Sequence, residues 1–364
     1  MTVSHWSRRR FVLTAATGLP AAALAACSSS GSSTTNSAKA TTSGSGVTIT
    51  VGQEGSDTQA GFDASGLFTG TPYTIRYATF ASPTDILTAL ANGDVDVANN
   101  VAQWTATQAA AAATPVWTAA TAPYKNILVS APGNPEHYAR FVVAASRQSG
   151  ITSIQQAKHK RWGIIPGSSL ELFAYVVLDK LGWSVKDIDV VSLDATDQVL
   201  AVQNGQVDVL FNVMDNLVTA LAQGAKVIGT AYDYGLTIYT GFLANENSLN
   251  SAAKGKAMED FTKRMVEYQN WYNTHPAPAQ AADVQSEDLT AAEAKAVWEY
   301  ARVIPEAPSA AIATYSQSLA DFAVKAGLID KQVNAAGLLD DRYASVINAT
   351  VKSTNLLANL QASY

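Results

Sequence analysis

Apolar and polar positions along this chain follow two rhythms. Residues 47–51 switch at every position, the period of a half-buried strand, and residues 73–80 form a second such segment before a helix that starts near Pro83. Proline suits the first turn of a helix, where its missing N–H has no partner to lose. Residues 127–130 and 141–145 read as strands separated by the Pro- and Gly-rich stretch 131–136. Residues 161–165 form a short buried strand, and Pro166-Gly167-Ser168-Ser169 turns into a helix running through Leu181. Residues 190–193 and 207–211 continue the alternation of strand and helix, the order of an α/β protein with largely parallel sheets. After about Asn245 long helices dominate. In one of them Phe261, Met265, Tyr268 and Tyr272 recur at three- and four-residue spacing, a stripe expected to face a core.

One unit occurs twice. Asp85-Ile86-Leu87-Thr88-Ala89-Leu90-Ala91-Asn92-Gly93-Asp94-Val95-Asp96-Val97 is echoed by Asp197-Gln198-Val199-Leu200-Ala201-Val202-Gln203-Asn204-Gly205-Gln206-Val207-Asp208-Val209. Each copy predicts an aspartate opening an apolar helix, an Asn-Gly left-handed stop, and Val-Asp-Val leading into a strand. The strands run into Asn99-Asn100 and Asn212, placing amides near strand carboxyl ends, which line the crevice of open α/β sheets.

Outside this pattern the amino-terminal residues carry an address. Ser7-Arg8-Arg9-Arg10-Phe11-Val12-Leu13 resembles a twin-arginine export signal, and its apolar run is too short to span a bilayer. It ends at Leu24-Ala25-Ala26-Cys27, which resembles a bacterial lipobox whose cysteine sulfur takes a diacylglycerol. Cys27 is the only cysteine, so an intramolecular disulfide is excluded. Residues 28–46 are almost wholly Ser, Thr, Gly and Ala and cannot bury enough apolar surface to offset their ordering entropy. The expected organisation is a signal peptide over 1–26, a tether over 27–46, a first lobe over 47–140, a second over 141–244, and a return with carboxyl-terminal helices over 245–364. Membrane attachment is expected through the Cys27 lipid, on the extracytoplasmic face of a bacterial membrane.

The sequence is 48 % hydrophobic and 15 % charged, enough to form cores, and with a formal net charge of −6 and no basic stripe to neutralise phosphates, nucleic acid is not an expected partner. A monomer with no cofactor is expected. His137, His159 and His275 have no metal-ligand spacing, and no Gly-x-Ser-x-Gly, His-Glu-x-x-His, P-loop or Gly-x-Gly-x-x-Gly motif is present. An extracytoplasmic hydrolase using Ser168 or Ser169 stays open as an alternative, needing a base brought from elsewhere in the fold.

Several segments carry a family resemblance. Residues 141–143 through Gly150-Ile151-Thr152-Ser153-Ile154, then Trp162-Gly163-Ile164-Ile165-Pro166-Gly167-Ser168-Ser169, Val207-Asp208-Val209 and Asp215 resemble the periplasmic binding proteins for nitrate, taurine and aliphatic sulfonates, most of all the aliphatic-sulfonate branch. Tyr73-Thr74-Ile75-Arg76-Tyr77, Asn92-Gly93-Asp94-Val95-Asp96-Val97 and residues 319–329 extend the likeness over most of the body. Relatives binding thiamine precursors share some of these motifs. The resemblance implies a two-lobed type-II binding-protein fold, α/β in class, closing over a small anionic or zwitterionic solute, first of all an aliphatic sulfonate and in the alternative taurine, nitrate or a thiamine-pyrimidine-like compound, and delivering it to an ABC-transporter permease.

Candidate ligand groups follow. Gly167, Ser168 and Ser169 form a glycine-led turn at a helix start, where N–H groups, hydroxyls and the positive helix end suit an oxyanion. Asp215 stands in Met214-Asp215-Asn216 where sulfonate-binding relatives carry an aromatic-Asp-Pro turn. It either caps a helix or faces the crevice, where it would repel a sulfonate and favour an ammonium. The first lobe offers Gln53, Asn100 and Gln103 as amide donors and Trp104 as an apolar wall, with Val101-Ala102-Gln103 standing where relatives carry a Gly-Asp-Thr-like turn. Tyr239 lies near the return crossing, where its hydroxyl is expected to meet ligand as the lobes close, and Asn245 or its neighbours are expected to serve as hinge points.

Overall fold

The computed structural model of the protein describes residues 46–54, 56–193 and 197–364. The expected export signal, Cys27 and the tether up to residue 45 lie outside the described residues. Two sheets build two lobes. The first is ordered β11-β4-β10-β3-β1-β2, from β1 (Thr48–Glu54), β2 (Thr74–Phe80), β3 (Val97–Ala102), β4 (Tyr124–Pro132), β10 (Thr240–Asn245) and β11 (Val303–Glu306). The second is ordered β7-β6-β8-β5-β9, from β5 (Phe141–Ala145), β6 (Arg161–Ile164), β7 (Asp189–Ser192), β8 (Val209–Val213) and β9 (Lys226–Thr230). Strands β1, β2 and β3 pair in parallel, as do β6, β7 and β8, whereas β10 and β5 run antiparallel to their neighbours. The chain leaves the first sheet after β4 and returns to it with β10. Strand β10, inserted between β3 and β4, has no signal in the alternation pattern, because its Gly241-Phe242-Leu243-Ala244 stretch is buried throughout. The expected α/β two-lobed fold is the one observed.

The repeated unit becomes a repeated tertiary device. Helices Pro83–Asn92 and Gln198–Gln203 end at Gly93 (φ 81°) and beside Gly205 (φ 69°), left-handed positions where a Cβ would be strained. Just before β3, Asp96 accepts from Thr50 N at 2.9 Å and donates its own N–H to Thr50 O at 2.8 Å. Before β8, Asp208 does the same with Arg161, both bonds at 2.9 Å. Each aspartate thus grips the adjoining parallel strand and sets its register. The expected role of the opening aspartates needs correction. Ser82 caps the first helix, exchanging bonds with Asp85 in the first turn, while Asp197 sits at the second cap without a side-chain cap bond.

Packing follows the apolar stripes. In the second lobe Phe173 meets Phe211 edge-on at 5.0 Å, and Trp162 lies 5.2 Å from the same ring, fastening helix Ser169–Leu181 to β6 and β8. Full burial of each phenylalanine side chain contributes about 1.5–3 kcal/mol. In the first lobe, helix Ala252–Thr274 buries Phe261 and Met265 completely, as its stripe predicts. Tyr268 and Tyr272, further along that stripe, instead reach the gap between the lobes. Helix Pro276–Glu287 packs on helix Asp57–Ser65, and helix Ala291–Tyr300 leans back on the second lobe at residues 214–222. There Thr219 Oγ1 donates to Glu293 Oε1 at 3.0 Å. The side chain of Asn245, an expected hinge position, is bonded on both sides. Its Nδ2 donates to Leu90 O at 2.7 Å and its Oδ1 accepts from the N–H groups of Asn247 and Ser248. Among the described residues no helix is long and apolar enough to cross a membrane.

Candidate functional site

Strand ends and crossings converge on a cleft of about 460 Å³ between the lobes. From the first lobe, the turn after β1 brings Glu54 and Asp57, and β3 brings Asn99 and Asn100. Asn100 has φ 55°, a left-handed conformation that asparagine tolerates better than most residues. Asn99 is held by a 2.8 Å bond from its Nδ2 to Thr58 Oγ1. Helix Pro276–Glu287 adds Asp283 and Glu287, one turn apart on a single face, and helix Ala252–Thr274 adds Tyr268 and Tyr272. From the second lobe come Val213, Asp215 and Asn216, with Arg140 at the end of the first crossing.

Charge is unequally divided across this cleft. Arg140 Nη2 meets Asp215 Oδ2 at 2.9 Å and its Nε meets Oδ1 at 3.3 Å, a two-pronged pair whose side chains are 23 % and 8 % exposed. Burial works against the guanidinium, but the Asp215 carboxylate outweighs it and holds the Arg140 pKa above its ordinary value. The first lobe contributes four carboxylates, and Arg140 lies near enough to Glu54 and Asp57 to favour their charged forms. Burial pushes Asp283 up to about 6, against a bond from Tyr272 Oη to its Oδ2 at 3.1 Å and with help from Asp57 and Glu287. Glu54, Asp57 and Glu287 are also raised, first by burial; Asp57 adds repulsion at both glutamates. Burial disfavours the charged form of all four, and repulsion between carboxylates adds to it at Glu54, Asp283 and Glu287. Among the described residues no group of His, Cys, Asp or Glu is arranged to hold a metal ion.

The sequence-derived candidates fall in three places. Asn100 and Asp215 line the cleft, and Asp215 is engaged with Arg140. Gln103, Trp104 and Tyr239 instead surround a separate space of about 20 Å³, with Ser316 donating to Gln103 Oε1 at 3.0 Å. Gln53 is buried behind the cleft wall, accepting from Gln59 N at 3.0 Å. The turn at Gly167, Ser168 and Ser169 is outside the lining residues, and the expectation of unpaired donors is corrected at Gly167 and Ser168. Gly167 N donates to Glu171 Oε2 at 2.7 Å, Ser168 Oγ donates to Ile165 O at 2.8 Å, and Glu171 N donates to Ser168 Oγ at 3.2 Å. The spacing Ser168-x-x-Glu171 was the sign that part of this helix start is capped by its own side chains. Arg140, Glu54, Asp57, Asp283 and Glu287 escape a reading by motif. Only the placement of Arg140 at the end of the Pro- and Gly-rich crossing, and the i, i+4 pairing of Asp283 with Glu287, could have drawn attention to them.

The two lobes, their crossings and the cleft define the fold of the periplasmic binding proteins. Within it, residues 69–226 match the sequence model of the NMT1-like family. The periplasmic aliphatic sulphonate binding protein SsuA from Escherichia coli superposes with a TM-score of 0.70 at 20 % identity, covering 81 % of this chain and 92 % of that one. The alkanesulfonate-binding protein SsuA from Xanthomonas axonopodis pv. citri, bound to MOPS, gives 0.66 at 19 % identity over 81 % of this chain and 98 % of its own. The desulfurization enzyme DSZB in complex with biphenyl-2-sulfinic acid gives 0.60 at 11 % identity, covering 84 % and 99 %. No curated protein sequence matches. The likeness to sulfonate-binding proteins read from the sequence is met again in these structures, and at these identities it speaks for the fold.

Proposed function

We propose that this chain is the solute-capturing component of an ABC importer, held at the extracytoplasmic face through Cys27, and that its solute is a small zwitterion bearing an acidic group and an ammonium. The observation that carries this reading is the division of charge in the cleft by lobe: Glu54, Asp57, Asp283 and Glu287 come from the first, and the Arg140–Asp215 pair from the second. Two unit charges about 5 Å apart interact by roughly 3 kcal/mol at an effective dielectric near 20. A plain alkanesulfonate would therefore lose against the carboxylate wall much of what it gained from an arginine already engaged by Asp215. An ammonium on the same molecule reverses the sign of the first contribution, and Arg140 remains the acid group's partner. The sulfonate-binding names of the structural relatives fit the acidic end, and MOPS itself joins a sulfonate to an amine. Tyr268, Tyr272 and Phe242 supply rings for the short carbon chain between them. Ligand drives closure by its preferential affinity for the closed form.

Capture without chemistry is supported by the surroundings of the serines. Ser168 Oγ is committed to Ile165 O, and His137, His159 and His275 are exposed. Calorimetry with taurine, ethanesulfonate and ethylamine, followed by recovery of each compound, tests both points. Taurine is expected to bind most tightly and to be recovered unchanged. Ethanesulfonate binding as tightly as taurine would remove the ammonium from the proposal, and consumption of any of the three would make the protein an enzyme.

A further inference from the structure

The four carboxylates that the first lobe brings to the cleft are not equally free to meet a solute. Glu287 is engaged at the start of helix Asp57–Ser65, where its carboxylate accepts from the backbone N–H groups of Ser56 and Asp57. Asp57, the first residue of that helix, turns its Oδ1 to its own neighbour, accepting from Thr58 N at 2.6 Å and from Thr58 Oγ1 at 3.3 Å. Negative charge is favourable at a helix start, so both groups have a local use. Glu54 is exposed.

Asp283 is placed differently. It is half-buried on helix Pro276–Glu287, and its bond comes from another helix: Tyr272 Oη, on helix Ala252–Thr274, donates to Asp283 Oδ2 at 3.1 Å. The tyrosine is itself held. Trp298 Nε1 donates to Tyr272 O at 2.7 Å, and the next residue, Asn273, is completely buried and donates from Nδ2 to Val303 O of β11 at 3.0 Å. Burial and then the neighbouring Asp283 hold the Tyr272 pKa well above its ordinary value, so the hydroxyl remains a donor. That donor takes one oxygen of the carboxylate and leaves Oδ1, on a residue that lines the cleft, for another.

We infer that the ammonium of the solute is taken by Asp283 at Oδ1, and that Tyr272 is the positioning residue that holds this carboxylate in place. The assignment rests on the reading that the solute carries an ammonium. An acceptor fixed before the solute arrives loses less freedom on binding than one that must be ordered by it. The groups around Asp283 are Asp57 and Glu287 of the first lobe, Asp215 of the second, and the hydroxyls of Tyr268 and Tyr272. Burial works most strongly against its charge, the Tyr272 bond works for it, and the three carboxylates add to burial. Capture of an ammonium therefore holds at pH 8 and fails as the pH falls through about 6, where Asp283 takes up its proton.

The test follows taurine and ethylamine by calorimetry from pH 8 to pH 5, beside carbon-13 NMR titration of the aspartate carboxyls in solute-free protein. The Asp283 signal is identified by its loss in Asp283→Ala. Tyr272→Phe keeps the ring and removes the donor. The Asp283 midpoint should rise above that of the wild type, because a bond to the charged form is gone. Taurine affinity at pH 8 should fall about three- to tenfold, the order of one hydrogen bond, and the pH at which binding is half lost should rise with the midpoint. In the Asp283→Ala background, Tyr272→Phe should change taurine affinity by less than about twofold, since a residue acting through another has nothing left to act on. Equal losses with and without Asp283 would overturn the positioning role, as would an unmoved midpoint. Wild-type ethylamine affinity in Asp283→Ala would overturn the assignment of the ammonium to this carboxylate. A wild-type protein that takes neither taurine nor ethylamine removes the ammonium reading and the assignment with it, and the NMR midpoints then report on the Tyr272–Asp283 bond alone.

Discussion

The two lobes are built on one plan and differ where it ends. In both, a parallel strand is gripped by an aspartate from a neighbouring helix-turn-strand unit: Thr50 by Asp96, Arg161 by Asp208. In both, a glycine two residues further along that strand admits a close neighbour. A Cβ on Gly52 would stand 2.8 Å from Ile86 Cγ2, and one on Gly163 would stand 2.8 Å from Leu193 Cδ1. Past these points the lobes diverge. The strand of the first lobe runs into Glu54 and Asp57, which face the cleft, and that of the second into Gly167 and Ser168, whose donors are used locally. The shared part is frame, and the unshared part reports what the cleft was shaped to hold.

Removing the two gripping aspartates separates frame from site most strongly. Asp96 is 6 % exposed in its side chain and serves Thr50 N, Ser248 Oγ and Lys254 Nζ, the last at 2.7 Å. Asp96→Ala leaves Thr50 N and Ser248 Oγ without this acceptor and is expected to cost about 1–3 kcal/mol in urea unfolding, the range for an unsatisfied buried donor. Asp208 faces an Arg161 side chain that is 45 % exposed and free to turn to water, so Asp208→Ala should cost a fraction of that. Equal losses would show that the second lobe depends on its grip as much as the first.

A smaller effect is expected from the basic side of the cleft. Arg140→Met removes the only guanidinium among the cleft-lining residues and frees Asp215 to repel an acidic group. Calorimetric affinity for taurine should fall by roughly ten- to a hundredfold, the range of a charged hydrogen bond, while affinity for ethylamine should not fall. A parallel loss for both compounds would mean that Arg140 shapes the lobe without reading the solute.

The smallest effect belongs to the acidic side and depends on pH. The Asp283 pKa is raised in the folded protein to about 6, so the native state holds this proton more tightly than the unfolded chain does. Its carboxyl therefore disfavours folding near pH 7, and that penalty fades as pH falls through 6 toward the ordinary carboxylate range. Ammonium binding runs the other way, weakening as Asp283 takes up its proton. Asp283→Asn should raise the melting temperature at pH 7, flatten its pH dependence between 4 and 7, and lower taurine affinity at pH 8 by roughly several-fold. A wild-type affinity that stays level from pH 8 to pH 5, with ethylamine as the control, would remove Asp283 from ligand binding.

Much of the frame is legible locally. The alternation at residues 47–51, the Asn-Gly stops and the stripe through Phe261 and Met265 all depend on residues within a few positions of one another, and the structure forms the elements they predict. The cleft was far less legible. Asn100, on β3, and Asp215, two residues past β8, lie in it because the strands of the repeated unit run to the cleft, whereas Gln103 and Trp104, only a few residues beyond Asn100, turn away into the first lobe. Ser168 and Gly167 looked like anion donors because a helix start leaves N–H groups unpaired, and Glu171 supplies the partner one turn later.

By itself the chain specified two α/β lobes, a repeated helix-turn-strand unit, an acidic balance and an expected export address, since periodicity, caps and composition are local or additive properties. Only the tertiary structure decided which charges face one another. Glu54, Arg140, Asp215 and Asp283 are far apart along the chain and meet because β5 and β10 carry it across and back between the sheets. The strength of a charge pair depends on separation and burial, and neither is set until the lobes have folded.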